Sequence, residues 1–209
     1  GNRSRRFRNS DIRNQEFMTT ENLPSDNQED MLILVDSSDN EIGFLSKSEC
    51  HMDAGQLHRA FSVFIFNSSG EVLIQKRGPE KELWGLHWSN SCCSHPRKNE
   101  NIESAVNRRL AEELTIQCPI HFLYKFTYQE NFENVGSENE LCYVYVGLFD
   151  GEIKADPNEV AEYKFISPQK LDQEIKASSE NFTPWMKMEW NTILDSYKND
   201  IENKIALRL

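Results

Sequence analysis

The chain has 209 residues, with 23 basic and 34 acidic side chains and a net charge of −11. A chain of this length buries about 70% of its unfolded surface, so it can build a core without disulfide staples, and one elaborated domain is expected. Residues 1–17 hold five Arg against Asp11 and Glu16, a balance of +3, so the rest of the chain carries −14. A body that acidic does not track nucleic acid or an anionic membrane by charge. Binding an anionic ligand would require a local basic cluster or a metal. No apolar run approaches the roughly 20 residues of a membrane span. Five Cys is an odd count, Cys92 and Cys93 are adjacent, and no secretory leader is visible, so reduced thiols in the cytoplasm are expected.

Residues 1–17 lack periodicity and are expected to be a disordered tail left by cloning, with Met18 as the native start and 18–30 as a lead-in. Residues 31–209 then read as a single domain. An apolar strand at 31–36, turn residues at 37–40 and a return strand at 41–46 predict a first hairpin. Residues 47–57 are polar and irregular. Residues 59–66 alternate around Phe61, Val63 and Ile65, and a turn at 67–70 leads into 71–77, predicting a second hairpin. Residues 78–99 form a connection long enough to be functional. Ile102, Ala105, Val106, Arg109, Leu110 and Leu114 fall on helical spacing, with Asn99 or Asn101 as cap. Strands are expected at 122–129 and 138–149 around an acidic 130–137 loop, and again at 162–166. Ser167-Pro168 and Thr183-Pro184 each combine a cap with Pro at the first helical position. Several hairpins around a few helices predict an α+β fold with a mixed sheet.

Three groups of residues carry chemistry. The first is Glu100 followed by Arg108, Arg109, Leu110, Glu112, Glu113 and Ile116. Helix geometry alone makes the i,i+4 pairs a solvated ion-paired face. The second is His51, His58 and His95 with Cys93, in unusual loops; such imidazoles beside carboxylates suit a borderline divalent ion. The third is Glu138 and Glu140, two apart on a strand and therefore on one face. Side by side, one of these acids must hold a proton or both must bind a metal. Cys142, Val144 and Val146 continue the same face.

The first group resembles the Nudix box, with Ser94 for the first Gly, Arg109 for the Glu after Arg, and Thr115 for the last Gly. An Arg in place of an acid removes a metal ligand and adds a phosphate-binding cation. The resemblance becomes closer across the chain. Asn90-Ser91-Cys92-Cys93-Ser94-His95-Pro96 is similar to the Asn-[Ser/Thr]-x-Cys-x-His-Pro loop of the type I isopentenyl diphosphate isomerases. His51 and His58 followed by Arg59-Ala60-Phe61-Ser62, Tyr128 ahead of Glu138 and Glu140, and Thr183-Pro184-Trp185-Met186 also match, in order, over about 30–190. The family's Trp-Pro-Gly is Trp84-Gly85-Leu86 here.

The resemblance implies a Nudix-like sheet core with packed helices, an extra N-terminal hairpin and a C-terminal helix. It implies isomerisation of isopentenyl to dimethylallyl diphosphate, with Cys93 and Glu140 as acid/base groups, Tyr128 assisting and Trp185 facing a carbocation. It makes His51, His58, His95, Glu138 and Glu140 the ligands of one zinc- or manganese-type ion, beside Cys93. It assigns Glu113 to a Mg²⁺ carried by the diphosphate, and Lys47, Arg77, Lys81 and Arg109 to the diphosphate itself. Helical phase places Trp185 roughly 140° from Trp190, off the stripe of Met186, Trp190, Ile193, Leu194, Tyr197 and Ile201, so a pocket or a second buried surface must hold it. The expected partner is a small diphosphate, with no nucleic acid or membrane, and a monomer. The alternative reading is a Nudix hydrolase of a nucleotide-linked diphosphate.

Overall fold

The structure is a computed structural model and describes residues 27–208. The expected tail at 1–17 and most of the 18–30 lead-in lie outside the described residues. The first hairpin is β1 (Met31–Val35) and β2 (Glu41–Ser46), paired from Met31 with Ser46 to Val35 with Glu41. Asp36 closes its turn by accepting the backbone N–H groups of Ser38 and Asn40. The stretch expected to be irregular begins with one helical turn, α1 (Lys47–Cys50), capped by Ser46.

The second predicted hairpin opens almost at once. β3 (His58–Phe66) and β4 (Val72–Arg77) pair only at Phe66 and Val72. The 78–99 connection enters the gap between them. Its segment β5 (Trp88–Ser89) pairs with β4, and β6 (Cys92–Ser94) pairs antiparallel with β3. β3 gains a parallel neighbour in β8 (Gly136–Leu148), and β4 an antiparallel one in β9 (Val160–Ile166). β7 (Ile120–Phe132) and β8 are longer than expected, and the tight turn between them covers only 133–135. Among the described residues the nine strands form one mixed sheet.

β3 is central and buried on both faces, which overrides the one-sided alternation read from its sequence. Phe61, Val63 and Ile65 pack with Ala105, Val106, Leu110 and Leu114 of α2 (Ile102–Leu114). Phe64 and Phe66 pack on the opposite face with Met186, Trp190, Ile193 and Ile201. That face is covered by α4 (Pro184–Thr192) and α5 (Lys198–Leu207), joined by a widened π-type turn at 193–197. Asn101 caps α2 by accepting the N–H groups of Glu103 and Ser104, and Ser167 caps α3 (Pro168–Ala177) in the same manner. No helix among the described residues is long and apolar enough to cross a membrane.

Candidate active site

The sheet register brings together, from distant segments, a cluster of side chains that could hold a metal ion. Parallel pairing sets His58, the first residue of β3, beside Glu140 of β8, with Glu138 two residues earlier on the same face. Ser137 N–H donates to the backbone oxygen of His51, which brings in the end of α1. A Cβ on Gly136 would lie 2.5 Å from that oxygen, so only glycine permits the approach. His95 follows β6, which β3 holds in register. The ligand atoms of His51, His58, His95, Glu138 and Glu140 all lie within 4.8 Å of one another. Nδ1 of His51 contacts the Lys47 carbonyl at 2.6 Å and Nδ1 of His58 contacts the Gln56 carbonyl at 2.7 Å, so both Nε2 atoms face inward. This is how metal-bound imidazoles are oriented in general.

The electrostatics agree with a cation in that place. Glu138 lies 2.9 Å from His51 Nε2. Burial opposes its charge, but His51 and the neighbouring hydrogen bonds win and hold it well below the carboxylate range. Burial and then the charge of Glu138 push Glu140 well upward. Burial, followed by the charge of its neighbour His51, depresses His58 to about 4. His58 Nε2 is buried and has no hydrogen-bond partner. An orphaned neutral imidazole nitrogen among two more imidazoles and two carboxylates fits a borderline divalent ion.

Next to the cluster is a narrow pocket of about 40 Å³, lined by Ser62, Arg77, Cys93, Tyr128, Glu140 and Trp185 among others. The adjacent thiols point apart, as an extended segment requires. Cys92 packs under α2, whereas Cys93 faces this pocket. Burial raises the Cys93 thiol to about 11 against the pull of Arg77, whose Nη1 lies 3.6 Å from the sulfur. Tyr128 is the cross-strand partner of Glu140. Trp185 meets Trp84 edge-on at 5.3 Å and lines the pocket, so both surfaces left open for it by helical phase are used. In Trp84-Gly85-Leu86 the turn is made with left-handed backbone at Trp84 and Leu86 rather than at the glycine.

The pocket opens into a cleft of about 310 Å³ that Lys47, Arg77 and Lys81 also line, with Glu159 opposite. Lys81 is therefore not a scattered surface cation; it is ion-paired with Glu159. Arg109 and Glu113 are both interior residues. Arg109 is 1% exposed and its guanidinium is held by Glu112, Glu113 and Glu159, at 2.8, 2.5 and 3.3 Å. The i,i+4 pair is thus interior rather than solvated. Arg109 lies behind the cleft and touches its wall through Glu159. Glu113 has one oxygen on Arg109 and the other on the Gln75 amide at 3.0 Å. Glu100 and Arg108 form a two-bond clamp at 2.8 Å, and Arg108 also reaches the His95 carbonyl at 3.5 Å, which ties α2 to the metal cluster.

Sequence reasoning missed Glu159, Ser62 and Glu189. Glu159 ends a turn at 157–159 and had no local signal. Ser62 stood inside a quoted motif without a role.

Comparison with known proteins follows the same outline. The NUDIX domain family matches residues 56–186. An isopentenyl-diphosphate Delta-isomerase 1 of Photorhabdus laumondii is 45% identical over 168 residues, 79% of this chain and 96% of that protein. An isopentenyl-diphosphate Delta-isomerase of Pectobacterium atrosepticum is 37% identical over 167 residues, 80% of this chain and 93% of its own. Among solved structures, a Deinococcus radiodurans protein superposes with a TM-score of 0.59 at 23% identity, covering 70% of this chain and 89% of that one. A MutT NUDIX hydrolase from Burkholderia pseudomallei gives 0.53 at 20% identity, covering 66% and 98%. These two share the fold.

Proposed function

The chain belongs to the isopentenyl-diphosphate Delta-isomerase family and carries a NUDIX domain, and from this premise we propose that it interconverts isopentenyl and dimethylallyl diphosphate through a tertiary carbocation. One observation carries the reading: Cys93 and Glu140 line a single narrow pocket together with Tyr128 and Trp185. Protonating an unactivated alkene and then removing a proton from another carbon needs two acid/base groups around an apolar centre. Glu140 gives a proton to the terminal methylene, with Tyr128 beside it. Cys93 takes the proton from C2, with the nearby Arg77 favouring its thiolate. The steps run in either direction.

The five-ligand cluster supports one divalent ion of zinc or manganese type. When bound, it supplies the positive charge that orients both carboxylates and relieves their repulsion. His51, His58, His95, Glu138 and Glu140 would hold it. The diphosphate would lie in the outer cleft against Lys47, Arg77 and Lys81, arriving as its Mg²⁺ complex. Arg109 serves indirectly, through Glu159 and Lys81. The hydrolase alternative loses support from the same network, because Arg109 engages the acids that a hydrolytic metal cluster would need. The sheet joining β1 to β9 supports one domain over 31–209, and the site is complete within one chain, which supports a monomer. Five free thiols support a cytoplasmic setting.

The test is incubation with isopentenyl diphosphate and Mg²⁺. The expected product is dimethylallyl diphosphate, labelled in a methyl group when the solvent is D₂O. Released phosphate with no isomer would reject the reading.

A further inference from the structure

Beneath the inner pocket lies a carboxyl that the mechanism above does not use. Glu189, on α4, is fully buried. Its Oε1 is 2.7 Å from Ser62 Oγ, its Oε2 has no partner, and its backbone oxygen accepts from the Tyr124 hydroxyl at 3.4 Å. Ser62 is the antiparallel register partner of Cys93, and both line the same pocket. Directly opposed residues on paired strands project side by side, with Cβ atoms about 4.5–5.5 Å apart. Cys142 Sγ lies 3.5 Å from Ser62 Oγ and 4.0 Å from Glu189 Oε1. Among the described residues, Ser62 both hydrogen-bonds the Glu189 carboxyl and lines the pocket.

We infer that Glu189 is a positioning residue for this reaction: through Ser62 it holds a hydroxyl proton toward the Cys93 sulfur. The inference rests on the role given to Cys93 above. The Ser62 hydroxyl donates to Glu189 Oε1 when the carboxyl is ionised; a neutral Glu189 reverses that bond and donates to Ser62 Oγ, and the Cys142 thiol can occupy the other lone pair. The Ser62 hydroxyl then has its own proton to offer on the pocket side, where it stabilises the thiolate. An ionised Glu189 takes that proton back as an acceptor. Ionisation releases the carboxyl proton to solvent, and the one proton left, that of the Ser62 hydroxyl, then points to Glu189 instead of to the sulfur. The groups that face Glu189 are Ser62 on β3, Cys93 on β6, Tyr124 and Tyr128 on β7, and Glu140 and Cys142 on β8. Its charge raises all five titratable members of that group, which are themselves displaced upward. Burial, against the Ser62 hydrogen bond, pushes Glu189 up to about 8, so the neutral form prevails at neutral pH.

The experiment compares Ser62→Ala, Glu189→Leu, Glu189→Gln and Cys93→Ala in the full chain, with thermal melts and kcat and KM measured from pH 6 to pH 9.5 (a range chosen to span about 1.5–2 units either side of the expected titration). Loss of one hydrogen bond to the thiolate should lower kcat about tenfold in Ser62→Ala, with KM little changed. Glu189→Leu should behave likewise if it folds. The amide of Glu189→Gln can still donate to Ser62, so it should recover most of the loss. It should also remove the fall in kcat near pH 8 expected of the natural chain. A folded Ser62→Ala as active as the natural chain would overturn the inference, as would an alkaline fall retained in Glu189→Gln. An active Cys93→Ala would instead overturn the role of the thiol.

Discussion

The guanidinium of Arg77 lies over the ring of Trp185, 5.2 Å from its centroid. The face proposed to meet a carbocation therefore already receives a cation in the ligand-free chain. The pocket beside it has a volume of about 40 Å³. A desolvated cation–π contact is worth about 2 kcal/mol, or about thirtyfold in rate, and it acts after the neutral alkene is protonated. Trp185→Leu should lose about that factor in kcat, and Trp185→Phe much less. Equal activity of the two folded variants would make Trp185 a wall and nothing more.

The adjacent thiols should separate activity from stability. Cys93→Ala should abolish measurable isomerisation, because one acid/base group contributes about 10²–10⁴-fold, while its melting temperature stays close to that of the natural chain. Cys92 is packed among Val106, Leu110 and Leu114 on the other side of β6. Cys92→Ala should lower the melting temperature and leave kcat nearly intact. A comparable loss of activity in both would contradict the assignment.

Purified protein should carry about one tightly held transition-type ion per chain before any Mg²⁺ is added. Replacing His51 and His95 together should remove it. Elemental analysis is the readout, and active protein with no such metal would contradict the five-ligand site.

Metal-free protein should lose stability in acid. His58 titrates at 6.5 in the unfolded chain and is depressed to about 4 by burial and by His51. Between those values the unfolded state binds more protons, so this contribution to stability is complete above pH 6.5 and is lost as pH falls toward about 4. Chelator-treated protein followed by denaturant melts from pH 7.5 to pH 4 (bracketing that window) should show the loss, and His58→Gln should flatten it.

Arg109→Glu restores the Nudix-box acid in name only. It would place a fourth carboxylate among Glu112, Glu113 and Glu159. Removing one partner of a buried ion pair costs about 3–5 kcal/mol. The variant should melt earlier and isomerise less, with no nucleotide hydrolysis. Release of phosphate from a nucleoside diphosphate derivative would favour the hydrolase alternative.

What the sequence by itself determined is mostly what neighbouring residues report. The spacing of Ile102, Ala105, Val106 and Leu110 defines α2, since helical period follows from local dihedrals. The two-residue step from Glu138 to Glu140 puts both acids on one face, and the one-residue step from Cys92 to Cys93 puts the thiols on opposite faces. Motif order carried the ligand set. Only the tertiary structure decided which strand lies beside which. β3 and β4 splay apart because β8 and β9 take their edges, and β5 and β6 enter the gap, which is what delivers Cys93 to the pocket. The pairing of Arg109 with Glu113 is a helical-spacing effect, but its contact with Glu159, fifty residues later, comes from the tertiary structure. Ser62 and Glu189 are 127 residues apart and meet only because α4 packs under β3. Such pairs have no local signature, because they depend on sheet order and layer packing rather than on the conformational preferences of either segment.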